Sequence, residues 1–235
     1  GNDRTYDGTT TATVSGAATL VGVITGDDVF LIGSPTFTFD SPNVGTNIDI
    51  TVSGYAISGT DELNYTFVQP TGLAADITGR ELTITGLTGD DKVYDGTTAA
   101  TVSGTPVLNG VISGDEVILG GSPVYSFVNE NFGFNVDIIA TGFTISGVDA
   151  ANYSLSQPSV LSANISPKAL TVTGLTAEDK TYDGTNSATV SGTPQLQGII
   201  DDDVVEISGT PIFIFIQSGV GTDITVVDDG CSAYF

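Results

Sequence analysis

The chain repeats itself every 88 residues, and this spacing limits what it can fold into. The triplet Tyr-Asp-Gly begins at Tyr6, Tyr94 and Tyr182, which are two equal steps along the chain. Other landmarks keep the same register, including Thr13–Gly16, Thr101–Gly104 and Thr189–Gly192. Three equivalent copies without an insertion predict an array of similar modules, in which length and valency matter more than one pocket.

The pattern of apolar residues predicts β-strands. Segments such as Leu82-Thr83-Ile84-Thr85 alternate apolar and polar residues, which indicates half-buried strands. Helical spacing is absent and β-branched residues are abundant, so we expect almost no helix. In the second copy we expect strands near Leu82–Leu87, Ala99–Ser103, Val107–Ile112, Glu116–Leu119, Val124–Val128, Asn135–Ile145, Tyr153–Ser156 and Val160–Ile165.

So many short strands within one period predict a two-sheet sandwich. We therefore expect an all-β chain of tandem immunoglobulin-like β-sandwich repeats with an 88-residue period; β-grasp-like repeats, with a helix across one sheet, are the alternative. The segment Asp149–Tyr153 resembles the one that opens the sixth strand of immunoglobulin-like folds. That resemblance implies that Tyr153 and its equivalent Tyr65 bond through their hydroxyls to upstream backbone.

The domain prediction follows the period. Repeat 1 spans residues 1–80, repeat 2 spans 81–168 and repeat 3 spans 169–235, with linkers so short that we expect a stiff rod. Repeat 1 lacks the opening strand, and repeat 3 lacks the closing strands and diverges from Cys231 onward. Two interpretations stay open: the chain is a slice of a longer array, which we favour, or strands of neighbouring subunits complete the terminal repeats.

Composition excludes several functions. The formal net charge of −23 makes nucleic acid or anionic lipid an unfavourable partner. No apolar run is long enough for membrane insertion within this chain. With no His and one Cys in the divergent tail, we find no nucleophile and base to nominate, so we expect no enzyme, no catalytic residues and no cofactor. The lone Cys231 rules out an internal disulfide.

Aromatic residues recur two positions apart and should share one sheet face. We expect them to be buried in every copy. The two sets are Phe37, Tyr125 and Phe213, and Phe39, Phe127 and Phe215.

The Tyr-Asp-Gly-Thr element predicts a turn. Its Asp can accept a hydrogen bond from the backbone two residues on, its Gly can take a positive φ, and its Tyr should cover the core edge. Lys92 and Lys180 are also candidates for an isopeptide bond to Asn, but Arg4, which stands in their place in repeat 1, cannot react.

Carboxylates cluster beside this element and suggest calcium. The candidate ligands are Asp90, Asp91, Asp95, Glu178, Asp179 and Asp183. Calcium takes six to eight oxygen ligands, and no complete calcium loop is present. Solvated surface charge is the simpler interpretation of this cluster, and of the acidic pairs Asp27-Asp28, Asp115-Glu116 and Asp202-Asp203.

The element Lys-x-Tyr-Asp-Gly-Thr at Lys92 and Lys180 resembles the YDG-type repeat of large bacterial surface adhesins and haemagglutinin-like exoproteins. The resemblance implies stalk modules of a protein that is secreted or attached to the cell surface. We therefore expect an extracellular spacer that projects a binding region, with neighbouring repeats or identical subunits as partners. Regions outside this chain would contact a host, cell or environmental surface. The alternative is a filament subunit assembled by intermolecular strand addition.

Overall fold

The computed structural model describes residues 1–228, and short β-strands dominate it. The divergent tail that begins at Cys231 lies outside the described residues. The strands are β1 Arg4–Thr5, β2 Phe30–Phe39, β3 Gly45–Ser58, β4 Leu73–Thr78, β5 Arg80–Gly89, β6 Lys92–Val93, β7 Val102–Asn109, β8 Ile118–Phe127, β9 Gly133–Ser146, β10 Tyr153–Leu155, β11 Leu161–Ser166, β12 Thr171–Ala177, β13 Val190–Gln197, β14 Phe213–Phe215 and β15 Val226–Asp228.

Helix is almost absent, as the sequence predicts. Over residues 1–228 the helical elements are two 3₁₀ turns, Glu62–Asn64 and Ala150–Asn152. The all-β prediction is confirmed, and the described residues contain no helix that could cross a β-grasp sheet.

The strands form five sheets. Two of them have four strands, in the orders β1-β4-β3-β2 and β6-β11-β9-β8. A three-stranded sheet has the order β10-β5-β7, and the pairs β12-β13 and β14-β15 form the remaining two. The described residues divide into two compact units: residues 1–90, 100–126 and 137–162 form the first, and residues 91–99, 127–136 and 163–228 form the second.

Two strands of repeat 2 are longer than the sequence predicts. The segments expected near Ala99–Ser103 and Val107–Ile112 form one strand, β7, and those near Glu116–Leu119 and Val124–Val128 form β8. The Gly signals between them do not break the strands, and in β7 the signal marks a β-bulge or irregularity. Where β5 pairs with β7 the register shifts between Thr85 and Leu87, and Gly104 has a φ of 99° beside the Gly86 carbonyl. A side chain at position 104 would collide with that carbonyl oxygen.

The aromatic prediction is only partly right. Phe39 and Phe127 are 1% and 2% exposed, so they are core residues. The other four, Phe37, Tyr125, Phe213 and Phe215, are half-buried. The prediction of burial in every copy is therefore wrong for Phe37, Tyr125 and Phe213, and in repeat 3 it also fails for Phe215, which pairs only within the short sheet β14-β15.

One hydrophobic core in the first unit takes residues from both sides of the boundary between repeats 1 and 2. Its buried members are Tyr6, Ala12, Phe39, Ile50, Ala75, Ile77, Leu82 and Tyr153. The first six belong to repeat 1, and Leu82 and Tyr153 belong to repeat 2. Burying apolar surface is the main favourable term in folding, so the two repeats stabilise one another.

Candidate functional site at the joint between repeats

The Tyr-Asp-Gly-Thr element is a turn, as predicted. In repeat 1 the Asp7 carboxylate accepts hydrogen bonds from the backbone N–H and the hydroxyl of Thr9, at 2.9 and 2.8 Å. Both bonds recur in the other copies, from Thr97 to Asp95 and from Thr185 to Asp183. The Gly residues of the three turns have φ angles of 77°, 73° and 81°. Only Gly adopts such angles without strain.

In each repeat a basic side chain forms an ion pair with the turn aspartate and contacts an aromatic ring of the same repeat. The Lys92 ammonium lies 2.7 Å from the Asp95 carboxylate and 5.6 Å from the centre of the Phe127 ring. It also donates to the Thr97 and Ala99 carbonyls, at 2.7 and 3.1 Å, so oxygens hold this ammonium in place. Arg4 and Lys180 repeat the ion pair and the ring contact in the other two copies.

These contacts shift the titration of the turn carboxylates. The hydrogen bond from Lys92, followed by that from the Thr97 amide, lowers the pKa of Asp95 to about 2. Lys180 and the Thr185 amide lower the pKa of Asp183 to about 2 in the same way. The aspartate is therefore ionised over the whole neutral range, and the turn keeps its cation.

The tyrosine of the element reaches beyond its own repeat. The Tyr6 hydroxyl donates to Oδ2 of Asp115, in repeat 2, at 2.9 Å. The Tyr153 hydroxyl donates to the same oxygen at 2.6 Å and accepts from the Ile112 backbone N–H at 3.0 Å. The Tyr6 and Tyr153 rings meet edge to face, 5.4 Å apart. Two tyrosines from successive repeats thus share one carboxylate.

Burial, followed by the hydrogen bond to Asp115, raises the pKa of Tyr6 to about 12. The same two causes raise the pKa of Tyr153. Both hydroxyls are therefore protonated and available as donors at neutral pH, which is what the shared carboxylate needs.

The next joint, which lies in the second unit, has the same bond. The Tyr94 hydroxyl donates to Asp203 of repeat 3 at 2.8 Å, again spanning 109 residues. Gly96 packs on the same repeat, because a Cβ added there would lie 2.7 Å from Ile200 Cγ2. The triplet Tyr-Asp-Gly therefore joins one repeat to the next: Asp makes the turn, Gly permits close approach and Tyr makes the bond.

A buried amide adds a second polar contact at the first joint. Asn152 is 6% exposed and lies in the second 3₁₀ turn. Its Oδ1 accepts from the Val44 backbone N–H at 3.0 Å, and its Nδ2 donates to Asn43 Oδ1 at 3.3 Å. Both partners belong to repeat 1, so three separate interactions connect the two repeats: apolar burial, the Tyr–Asp bonds and this amide.

The covalent linker between repeats 1 and 2 is short. β4 ends at Thr78 and β5 begins at Arg80, so Gly79 is the one residue between two sheets. The Arg80 Nε donates to the Gly110 carbonyl at 2.8 Å, which fixes the start of β5. So short a connection leaves little freedom for independent motion.

A family model described as the YDG domain matches residues 1–72, 78–160 and 166–232. The chain belongs to the YDG-domain family. No curated protein and no solved structure matches it. Among the described residues, no helix is long and apolar enough to cross a membrane.

Several of the calcium candidates of these YDG repeats have separate partners. Asp91 accepts from the Asn164 N–H at 2.7 Å, which lowers its pKa, and Asp95 and Asp183 pair with lysines. Glu178 accepts from Ser191. The Asp90 backbone N–H donates to Thr101. Within residues 1–228 no three acidic side chains form a group that could hold a metal ion. Calcium at Asp90, Asp91, Asp95, Glu178, Asp179 and Asp183 stays a prediction.

The roles of Asp115 and Asp203 differ from the solvated surface charge that their acidic pairs predict. A signal was present: an Asp stands at positions 27, 115 and 203, in the same register as the Tyr of the triplet. The predicted bonds of Tyr65 and Tyr153 to upstream backbone are present, from the N–H groups of Ile24 and Ile112, 41 residues upstream.

Proposed function

We propose that this chain is a structural spacer: stalk repeats of an extracellular bacterial adhesin that hold a binding region away from the cell surface. The observation that carries the proposal is the Tyr–Asp bond, made by Tyr6 with Asp115 and by Tyr94 with Asp203. A spacer holds its tip at a defined distance only if successive modules keep a fixed orientation to one another. A joint that recurs at the regular spacing of the repeats serves that need.

The secreted, surface-attached location is part of this proposal. Support comes from the membership in the YDG-domain family, the tandem arrangement and the strongly acidic composition. A net charge of −23 keeps such chains soluble and mutually repelling at a crowded surface. The partners within the array are neighbouring repeats, and surface contacts fall to regions outside this chain. We assign the chain no catalytic role.

We also propose that each repeat is an immunoglobulin-like sandwich with an 88-residue period. The support is the likeness of the strand orders β1-β4-β3-β2 and β6-β11-β9-β8, whose members correspond one to one. The bounds of β3 and β9, Gly45–Ser58 and Gly133–Ser146, differ by the same step as the Tyr-Asp-Gly triplets.

The test is a length series. The chain is placed between a surface anchor and an adhesive tip. Deleting residues 81–168 gives the shorter member of the series. In that member Arg80 precedes Ala169, as Lys168 does in the unaltered chain. A duplication of residues 81–168 gives the longer member. We expect the reach of the tip and adhesion through a surface polymer layer to rise stepwise with repeat number. Adhesion that is independent of repeat number, in chains that all fold, would overturn the spacer role.

A second candidate function is a filament subunit joined by strand addition between chains. Mass in solution separates the two, because a spacer fragment stays monomeric while a filament subunit grows with concentration.

A further inference from the structure

The two longest strands, β3 and β9, are each flanked over part of their length by a much shorter strand. β9 has fourteen residues, while β11, its neighbour on one side, has six. In repeat 1 the register shows the consequence: β3 pairs with β4 from Gly45 to Ile50, but with β2 as far as Ser58. Within residues 1–228, the second half of β3 therefore has a strand on one edge only. An open edge presents backbone groups to which another strand can add.

A glutamine side chain occupies this edge in repeat 2. The Phe143 backbone N–H donates to Gln157 Oε1 at 3.1 Å, and Gln157 Nε2 donates to the Phe143 carbonyl at 3.0 Å. The amide of Gln157 thus makes the pair of bonds that a residue of a neighbouring antiparallel strand would make. Phe143 is 7% exposed, so its backbone N–H would be costly to leave without an acceptor.

The segment that carries Gln157 is not itself a strand. Residues 156–160 connect β10 to β11 and have no regular secondary structure. Pro158 follows Gln157 and has no N–H to donate, which favours this irregular course over a strand. The Gln157 side chain therefore supplies to β9 the bonds that the backbone of this segment does not.

Repeat 1 uses the same residue at the same place. Gln69-Pro70 and Gln157-Pro158 are one period of 88 residues apart. Gln69 Nε2 donates at 2.7 Å to the carbonyl of Tyr55, which corresponds to Phe143. The contact between this glutamine and the long strand is therefore a feature of the repeat and not of one loop.

We propose that Gln157 closes the open edge of β9 against a strand from a second copy of this chain. An added strand must displace the Gln157 amide before it can bond to the Phe143 backbone. A second copy offers many such strands, because alternating Thr and aliphatic residues recur in every repeat. Gln157 thereby opposes the strand addition that would convert a spacer into a filament. The net charge of −23 opposes the same association through long-range repulsion.

The test compares Gln157→Ala with the unaltered full chain by amide hydrogen exchange and by light scattering over a concentration series. At low concentration we expect exchange of the Phe143 N–H to become roughly 10-fold faster, because this group loses its acceptor. At high concentration the mass of Gln157→Ala should rise, and residues 139–146 should regain protection as strands add to them. The unaltered chain should keep the mass of one chain throughout.

Matched variants separate the edge contact from a general loss of stability. Gln197→Ala, which changes an exposed glutamine of β13, should keep the exchange rate and the mass of the unaltered chain. Gln157→Glu retains an acceptor for the Phe143 N–H, so that N–H should stay protected. If Gln157→Ala does not fold, Gln69→Ala applies the same test in repeat 1, with the added strand protecting residues 51–58.

Three results would overturn the proposal: a folded Gln157→Ala chain that keeps the mass of one chain at every concentration, association that protects residues other than 139–146, or an unchanged exchange rate at Phe143. Association of the unaltered chain through residues 139–146 would also contradict it, because the edge would then be open despite Gln157. The spacer role does not depend on these results, since it rests on the joints and is tested by repeat number.

Discussion

Repeats 1 and 2 share many residues in the same register but differ in structure where a neighbouring repeat is present. Tyr153 shares Asp115 with Tyr6 of the preceding repeat, while Tyr65 bonds to Asp27 with no second tyrosine. Asn152 is buried against repeat 1, and its equivalent Asn64 is exposed. β7 and β10 form around β5, and their counterparts in repeat 1 stay irregular. In repeat 2 these strands form where β5 is available to pair with them.

The largest effects should come from two buried rings, Phe39 in the core that repeats 1 and 2 share and Phe127 in the second unit. Phe39→Ala and Phe127→Ala each remove a buried ring and should each cost about 3–5 kcal/mol of unfolding free energy. Because both rings are almost fully buried, the two costs should be similar. Denaturant unfolding monitored by hydrogen exchange in each repeat measures them.

The equivalent change Phe215→Ala is the matched control, since that ring is half-buried. It should cost clearly less. A loss below about 1 kcal/mol for Phe127→Ala would show that this face is not a core.

The next effect tests whether β5 makes repeat 2 different from repeat 1. Leu82 is fully buried, so Leu82→Ala should cost about 2–5 kcal/mol. Exchange protection of Val102–Asn109 should fall toward that of residues 14–21, because the central strand of the sheet is loosened. The exposed neighbour supplies the control: Thr83→Ala should change little. If β7 kept its full exchange protection in Leu82→Ala, β5 would not be the cause of the difference between repeats 1 and 2.

A smaller effect should come from the shared carboxylate. Asp115→Ala leaves two tyrosine hydroxyls without their acceptor and should cost about 1–3 kcal/mol. Asp27→Ala affects one hydroxyl in a more exposed setting and should cost less. A double-mutant cycle of Tyr6→Phe with Asp115→Ala measures the coupling at the joint by thermal unfolding. Zero coupling would show that the Tyr6–Asp115 bond does not connect the repeats energetically.

Much of the fold followed from local sequence. Alternation and turn residues predicted the strands of repeat 2, and the Asp95 turn was predicted down to its hydrogen bond from Thr97. These features depend on neighbours within a few residues, where steric and hydrogen-bonding preferences are strong. The bulges were missed because Gly-Thr-Pro signals a turn and a bulge alike, and the choice depends on whether strand β5 continues beside it.

The joint could not be predicted in the same way. Nothing local to Asp115 distinguishes a solvated carboxylate from the acceptor of Tyr6, which lies 109 residues away. The failed prediction for Phe215 has the same origin, because its exposure depends on which strands cover it. Contacts between repeats are set by packing, and the periodic register of Asp27, Asp115 and Asp203 was the sole clue.

The smallest effect is the pH dependence of stability that Tyr6 contributes at the joint between repeats 1 and 2. The pKa of Tyr6 is raised to about 12, whereas an unfolded tyrosine has a pKa of about 10. The folded state holds this proton more tightly, so the stabilisation is complete below about pH 10 and is lost as the pH rises toward about 12. Melting temperatures of the unaltered chain and Tyr6→Phe should therefore converge over this window, because the variant has no proton to lose there. Tyrosines remote from this joint also ionise at alkaline pH, but they do so in both proteins and cancel in the difference. If the two melting curves fell in parallel between about pH 10 and about pH 12, Tyr6 would not be the group that couples the joint to pH.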